Sequence, residues 1–358
     1  MGVEALARPE IVEMKAYSSA RKEAPGEGIL LNANEAPHAL LPDEEMLNRY
    51  PDPQPARLLS RLAWLYGVGE ENLLVTRGSD EGIDLLTRVF CRAGQDAILQ
   101  CPPNFGMYKI AAQTQGAEVI SVPRKVDSAF ELDHKVVLQT VAMNNHIKLV
   151  FLTSPNNPTG DVIEFDFLSR LLNETRGKAI VVLDEAYAEF SRLPSAATLI
   201  KDHENLVVLR TLSKAWASAG LRCGAVLAQP ALISLLRRVI APYPLPSPVI
   251  ALALRMLEDD VLARQKLLLE EITSNKLTLL NKLKQFSFML EIIPGEANFV
   301  LIRVNNSDEL LTFCANQGVI VRGFPADPLL KDYIRISIGS EGDLNMLTTI
   351  FEEWEHIK

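Results

Sequence analysis

The stretch KAIVVLDEAYAEF, residues 178–190, decides how the chain is read. Five apolar residues in succession, Ala179 to Leu183, run directly into a carboxylate, Asp184. A short unbroken run rich in Val, Ile and Leu is a strand covered on both faces, the mark of a parallel sheet. The same pattern recurs in NLLVT (72–76), DAILQ (96–100), AEVISV (117–122), IKLVFL (147–152) and NLVVLRT (205–211). Helical segments such as DEGIDLLTRVFC (80–91) lie between several of them. The expectation is an α/β domain with a mostly parallel central sheet between helices.

The pattern changes after about residue 245. PYPLPSP (242–248) is a proline-rich break. A long helical stretch follows over 251–286, its apolar residues recurring at three and four. ANFVLIRV (297–304), GVIVRG (318–323) and YIRISIG (333–339) read as strands, and GDLNMLTTIFEEWEHI as a closing helix. The expected organisation is an arm over 1–45 packing with the small domain, a large domain over 46–245, and a smaller α+β domain over 246–358.

Composition bounds the function. The chain has 358 residues and a formal net charge of −9, which disfavours nucleic acid and anionic membranes as partners. The four cysteines are scattered and the histidines do not cluster, so no metal site is expected. No run is long and apolar enough to span a bilayer.

In open parallel sheets, ligands sit beyond the carboxyl ends of the strands, and the polar residues of interest fall there. Ser79 and Asp80 open a helix after Gly78. They suit a phosphate held by free N–H groups, and they equally suit ordinary helix capping. TSPNNPTG (153–160) is either a turn or a rigid platform that aims a side-chain amide at a ligand. Asp184 is either a cap or the partner of a cation, such as a protonated pyridine nitrogen. Tyr187 lies within reach of the same ligand. Lys214, in TLSKAWASAGLRCG (211–224), is alone an ordinary helix-start lysine. Its neighbours are the hydroxyls of Thr211 and Ser213 and the planar donor fork of Arg222. A lysine among phosphate-binding groups, with a carboxylate on a neighbouring strand, is what pyridoxal phosphate requires.

PNNPTG, VLDEAY and TLSKAWASAGLRCG, in this order and spacing, resemble the fold-type I aminotransferases. YSSAR, LNANEAP, LNRYPDPQP, RGSDEGIDLL, CPPNFGMY, VIAPYPLPSPV, VIVRG and YIRISIG narrow the resemblance to the histidinol-phosphate aminotransferase family, over about Tyr17 to Gly339. The resemblance implies a cytoplasmic, homodimeric pyridoxal-phosphate enzyme of histidine biosynthesis. It would exchange an amino group between histidinol phosphate and 2-oxoglutarate. The related alternatives are a threonine-phosphate decarboxylase and a transaminase for aromatic or other amino acids. By the same resemblance Lys214 carries the cofactor and Asp184 meets its ring nitrogen. Asn157 and Tyr187 meet its ring hydroxyl. Ser79, Asp80, Thr211, Ser213 and Arg222 hold its phosphate, with Tyr50 reaching over from the second subunit. Phe105 stacks on the ring, where the family usually has tyrosine. Arg335 and Arg322 bind the substrate anion, and Tyr17 and Asn34 line its pocket.

Overall fold

The structure is a computed structural model that describes residues 2–17, 28–41 and 47–357. Seven strands form the main sheet: β1 (Leu73–Thr76), β2 (Ala97–Gln100), β3 (Glu118–Ser121), β4 (Ile147–Thr153), β5 (Ile180–Asp184), β6 (Leu206–Thr211) and β7 (Gly224–Leu227). Their order is β1-β7-β6-β5-β4-β2-β3. The pairs from β6 through β3 are parallel, while β7 runs antiparallel to both its neighbours.

Alternation along the strands builds two cores. Leu73, Val75, Val181, Leu183, Leu206 and Val208 face one side, against the helices Ala56–Tyr66, His134–Met143 and Phe165–Thr175. Leu74, Ile180, Val182, Val207 and Leu209 face the other, against Gly78–Phe90, Met107–Gln115 and Pro230–Val239. Each such side chain, fully withdrawn from water, contributes about 1.5–3 kcal/mol. The polar groups that follow the strands are thereby pinned at one edge of a rigid slab.

The second sheet has the order β10-β11-β9-β8, all antiparallel, with β8 (Met289–Ile293), β9 (Phe299–Val304), β10 (Arg322–Gly323) and β11 (Tyr333–Ser337). It packs with Leu279 and Leu283 of the helix Asp259–Leu283 and with the helices Ser307–Asn316 and Glu341–Ile357. No helix among the described residues is long and apolar enough to cross a membrane.

Several expectations are corrected. The described start of the arm does not pack on the small domain. Val3, Leu6, Ala7 and Ile11 join the large-domain core beside Gly78–Phe90 and Pro230–Val239, and the Arg8 N–H donates to the Val89 carbonyl at 3.0 Å. Their three-to-four spacing makes one apolar stripe that fits between those two helices. The long helical stretch is two helices, Ser247–Met256 and Asp259–Leu283, broken before the acidic pair Asp259–Asp260. Acids favour the first turn of a new helix over the last turn of an old one. The strand expected over 318–323 shrinks to two residues. Strands β7 and β8 were not foreseen.

The two sheets meet through backbone. Gly160 (φ +76°) and Gly295 (φ +50°) face each other so closely that a Cβ on Gly160 would lie 2.6 Å from the Gly295 Cα. The Glu296 N–H donates to the Gly160 carbonyl at 2.6 Å. Gly177 has a similar φ of +68° with nothing within 4 Å. Gly177→Ala should therefore cost only the left-handed penalty of about 1 kcal/mol. Gly160→Ala should cost that plus a backbone collision, and so lower the thermal midpoint by clearly more. Differential scanning of the two variants against the parent chain checks the ranking.

Candidate active site

One cavity of about 510 Å³ opens where β4, β5 and β6 end, and residues of the second sheet complete its wall. The parallel register aligns Thr153 with Asp184 and Asp184 with Leu209, so β4 and β5 end level and β6 runs two residues further, to Thr211. Twelve of the fifteen residues singled out from the sequence line this cavity: Ser79, Asp80, Phe105, Asn157, Asp184, Tyr187, Thr211, Ser213, Lys214, Arg222, Arg322 and Arg335.

Asp184 is 2% exposed. Its Oδ2 accepts from the Tyr108 hydroxyl at 2.7 Å, and its Oδ1 accepts from the Ala186 N–H at 3.1 Å. Burial pushes its pKa up to about 6 despite both donors. Tyr187 is buried, its ring edge-on to Phe299 at 5.3 Å, and burial pushes its hydroxyl up to about 12. The Lys214 amine opens onto the cavity 5.6 Å from the centre of the Tyr187 ring. The cavity walls desolvate this amine and Arg335 repels its charge, so its pKa falls below the usual lysine value. A lysine shifted this way is readier to act as a nucleophile or base at neutral pH.

An anion cradle lies at one end. Gly78 starts the helix Gly78–Phe90, whose first N–H groups have no partner within the helix. Arg222, itself in the left-handed region at φ +51°, leans over this terminus. Its Nη2 donates to Asp80 Oδ2 at 2.9 Å and its Nη1 to Ser213 Oγ at 3.2 Å, and Thr211 Oγ1 lies 2.9 Å from Ser213 Oγ. The approach requires glycine: a Cβ on Gly78 would meet Arg222 Nη2 at 2.9 Å, and one on Gly224 would meet the Gly78 backbone at 2.6 Å. With the Asp80 carboxylate already on Arg222, Asp80 offers an incoming anion its backbone N–H.

Two arginines come together on another part of the wall. Arg322 on β10 pairs in register with Arg335 on β11. Like charges directly opposite on neighbouring strands repel, so the arrangement is suited to an anion bound between them. Arg335 Nη1 donates to Asn157 Oδ1, its guanidinium sits 5.3 Å from the Phe299 ring centre, and its Nε is buried without a partner among the described residues. The Asn157–Pro158 bond is cis.

Three expected residues lie elsewhere. Tyr50 is 49% exposed and stacks on Tyr243 at 4.5 Å. Tyr17 is 68% exposed, in a separate depression beside Gln54 and Arg237. Asn34 is exposed, with a φ of 55°. Tyr17 and Asn34 therefore do not line the cavity, because their segments do not reach these strand ends. The serines and arginine of YSSAR, residues 18–21, lie outside the described residues.

Sequence reasoning missed Tyr108 and Thr153, which contact Asp184 directly or through one hydroxyl, and Asn104, Phe324, Asp327 and Leu330, which add to the wall. A signal for Tyr108 was present: it lies at the start of the helix Met107–Gln115, just after Phe105, and its ring meets the Phe105 ring edge-on. Among the described residues no cluster suits a metal ion, and the four cysteines are buried and unbridged.

The chain matches the family described as aminotransferase class I and II over residues 22–351. It is 42% identical over 340 residues to the histidinol-phosphate aminotransferase of Pectobacterium carotovorum subsp. carotovorum, covering 94% of each chain. Among solved structures, the histidinol-phosphate aminotransferase of Sinorhizobium meliloti in complex with pyridoxal-5'-phosphate has a TM-score of 0.77, with 23% identity over 86% of this chain and 83% of that one. The L-threonine-O-3-phosphate decarboxylase of Porphyromonas gingivalis has a TM-score of 0.73, with 22% identity over 87% and 91%. These two likenesses establish the common fold.

The raised Asp184 pKa has a measurable consequence. A carboxyl whose folded pKa lies above its unfolded value of 3.8 binds its proton more tightly in the folded chain. Its contribution to stability is then full below that value and lost as pH rises through about 6. In Asp184→Asn the amide can still accept from Ala186 and donate to the Tyr108 hydroxyl. In protein freed of small molecules, that variant should be more stable than the parent at pH 8, by at most about 3 kcal/mol. The gap should close near pH 4. Urea unfolding at the two pH values measures it.

Proposed function

The chain belongs to the aminotransferase class I and II family, and from that premise we propose that it exchanges an amino group between L-histidinol phosphate and 2-oxoglutarate in histidine biosynthesis. Imidazole acetol phosphate and glutamate are the products. The observation that carries this reading is the meeting, in one cavity, of a lysine whose pKa is lowered, a buried carboxylate and two separate groups of anion donors.

Pyridoxal phosphate is the cofactor of this reading, and the residues fit it. It needs a lysine for attachment, an acid for its ring nitrogen, an anion cradle and an apolar wall. Lys214, Asp184, the Ser79–Asp80 terminus with Arg222, and Phe105 are those groups. The snug Gly78–Gly224 approach beneath Arg222 is what a backbone phosphate cradle requires. When bound, the cofactor withdraws electrons from the substrate carbon that bears the amine, which makes its C–H bond acidic.

The chain's own groups do the rest. Lys214 Nζ would take the proton from the substrate carbon and deliver it to the cofactor's C4′, and would run the same transfer in reverse in the second half-reaction. Asp184 holds the ring-nitrogen proton. Asn157 and Tyr187 offer an amide and a hydroxyl to the ring's oxygen. Phe105 supplies a flat apolar face without the hydroxyl of a tyrosine, so stacking is kept and a hydrogen bond is not. Arg335 and Arg322 bind the phosphate of histidinol phosphate in one half-reaction and a carboxylate of glutamate in the other. Planar forks accept either anion, and this gives one pocket two substrates.

The working form is a cytoplasmic homodimer in this reading. Tyr50 is 49% exposed and does not line its own cavity, so in this reading it serves the phosphate cradle of a second copy, and the exposure of Tyr17 is consistent with the same arrangement.

A threonine-phosphate decarboxylase is the second reading, supported by the shared fold of the Porphyromonas gingivalis enzyme. It too needs arginines for a phosphate. Histidinol phosphate with 2-oxoglutarate should yield glutamate, and phosphothreonine should yield no CO₂; the opposite pair of results rejects the first reading. Arg335→Ala should raise the KM for histidinol phosphate about a hundredfold, the loss of two charge-assisted hydrogen bonds. Arg335→Lys should recover only part, because an ammonium is not a fork. Lys214→Ala should abolish turnover and leave no site for borohydride to fix the cofactor.

A further inference from the structure

Tyr108 has no role in the scheme above, yet it is fully enclosed against Asp184, which lines the cavity. It is 0% exposed. Its ring stacks on Phe151 at 4.8 Å and 9°, and meets Phe105 edge-on at 5.8 Å. Its hydroxyl bridges two strand ends, at 2.8 Å from Thr153 Oγ1 and 2.7 Å from Asp184 Oδ2. Thr153 is also nearly buried, at 2%, and lines the cavity.

The direction of the bridge follows from chemistry. An ionised Asp184 can only accept, so the Tyr108 hydroxyl donates to it. The Tyr108 oxygen then accepts from the Thr153 hydroxyl. Burial, with the Asp184 charge adding to it, holds the phenol protonated well above its ordinary range, so Tyr108 remains a donor at any working pH. Two hydroxyls in series, polarised toward one carboxylate in a water-poor site, strengthen each other. With the Ala186 N–H on the other oxygen, they fix the plane of the carboxylate and leave its remaining lone pairs for the cavity.

We propose that Thr153 and Tyr108 form a positioning relay that orients Asp184 and keeps it ionised toward the cofactor's ring nitrogen. The inference rests on the pyridoxal-phosphate reading of the site. It extends that reading by assigning two residues that act through Asp184 rather than on the reacting atoms. Through the Phe105 edge, the same tyrosine also steadies the stacking wall.

The charged and titratable groups around Asp184 come from every side. Asp80 faces it from the helix Gly78–Phe90, Glu185 and Tyr187 from its own strand end, Tyr108 from the helix Met107–Gln115 and Lys214 from the loop after β6. Asp80 and Glu185 both oppose ionisation of Asp184, and Tyr108 and the Ala186 N–H are the hydrogen bonds that favour it. Removing the Tyr108 hydroxyl removes one of those two.

The experiment uses holoenzyme of the parent, Tyr108→Phe, Thr153→Val and Thr153→Ser. Three quantities are read: pyridoxal phosphate retained after dialysis, the split of kcat and KM with glutamate as donor, and the acid limb of the kcat/KM profile. Tyr108→Phe keeps the ring and its stacking. It should hold cofactor about tenfold more weakly and lose about tenfold in kcat, the worth of one hydrogen bond to a charged group. Its KM should stay within about twofold. Its acid limb should move to higher pH, since a carboxylate with one fewer donor is protonated sooner. Thr153→Val should shift all three in the same direction by less, and Thr153→Ser should restore them. It also carries the test if Tyr108→Phe does not fold. Parent-like retention, kcat and acid limb in both Tyr108→Phe and Thr153→Val would overturn the relay and leave the functional reading standing. A parent chain that retains no cofactor would overturn both.

Discussion

The constraint on which the site depends is a carboxylate withdrawn from water at the end of an apolar strand. Asp184 follows a strand whose residues are all buried and is itself 2% exposed. Leaving an ionised acid there without partners would cost several kcal/mol. The fold meets part of that cost with the Tyr108 hydroxyl and the Ala186 N–H, and burial still lifts the pKa to about 6. What remains is an acid poised to gain from a cation in the cavity. Lys214, desolvated and repelled by Arg335, is the complementary case: an amine whose pKa is held below the usual lysine value. Two groups pushed toward neutrality from opposite ends of the pH scale, one ending β5 and the other three residues past β6, make a site suited to moving protons.

The second sheet completes the site rather than flanking it. Arg322 and Arg335 stand opposite each other on β10 and β11, and Arg335 reaches across to Asn157 on the loop after β4. That hydrogen bond spans the junction where Gly160 and Gly295 touch backbone to backbone. Lys276 reinforces the junction by donating to the carbonyls of Gly295 and Ala297 at 2.9 and 2.7 Å. Arg335, the proposed anion-binding arginine, is thus registered against the loop that carries Asn157. Glycine's tolerance of close approach sets the backbone contact, and two apolar clusters pack beside it, Ala186 and Tyr187 against Ala297 and Phe299, and Phe130 against Ile293, Leu301, Leu330 and Tyr333.

Much of this was legible in the sequence, and for physical reasons. Strands buried on both faces write themselves as unbroken apolar runs, so β1, β2, β4, β5 and β6 stood out, and with them the loops at their ends. Residues close in sequence to those ends, such as Asn157, Asp184 and Lys214, were found because a strand end fixes their position. β7 escaped because four residues directly after a glycine-rich loop carry no period, and nothing local reveals an antiparallel direction. β8 escaped because Met289–Ile293 follows a long helix with no marked turn between. Tyr108 escaped because its partner lies 76 residues away, and a buried tyrosine in a helix looks like core until its hydroxyl is traced. The arm was misplaced because an apolar stripe states that it is buried, not against which face.

One further buried group explains why the two loops that carry Asp184 and Lys214 keep their relation. Arg210, at the end of β6, donates to Glu185 at 3.0 Å and Glu189 at 2.6 Å, and covers the Tyr66 ring at 4.8 Å. Trp216, two residues after Lys214, donates to the same Glu189 at 3.2 Å. Glu185 also takes the Ala196 N–H at 2.7 Å. Oil-like residues of equal volume would fill this space at no greater cost, since a buried ion pair spends most of its attraction on desolvation. Apolar contacts, however, tolerate small slides of one loop past another, whereas forked hydrogen bonds lose their geometry within a fraction of an ångström. The loop from Glu185 to Glu189 contains Tyr187, and the loop from Thr211 to Trp216 contains Lys214. Binding Glu185, Glu189 and Trp216 around one guanidinium fixes the amine against the phenol and the acid, where a displacement of about 1 Å would cost catalysis far more than stability.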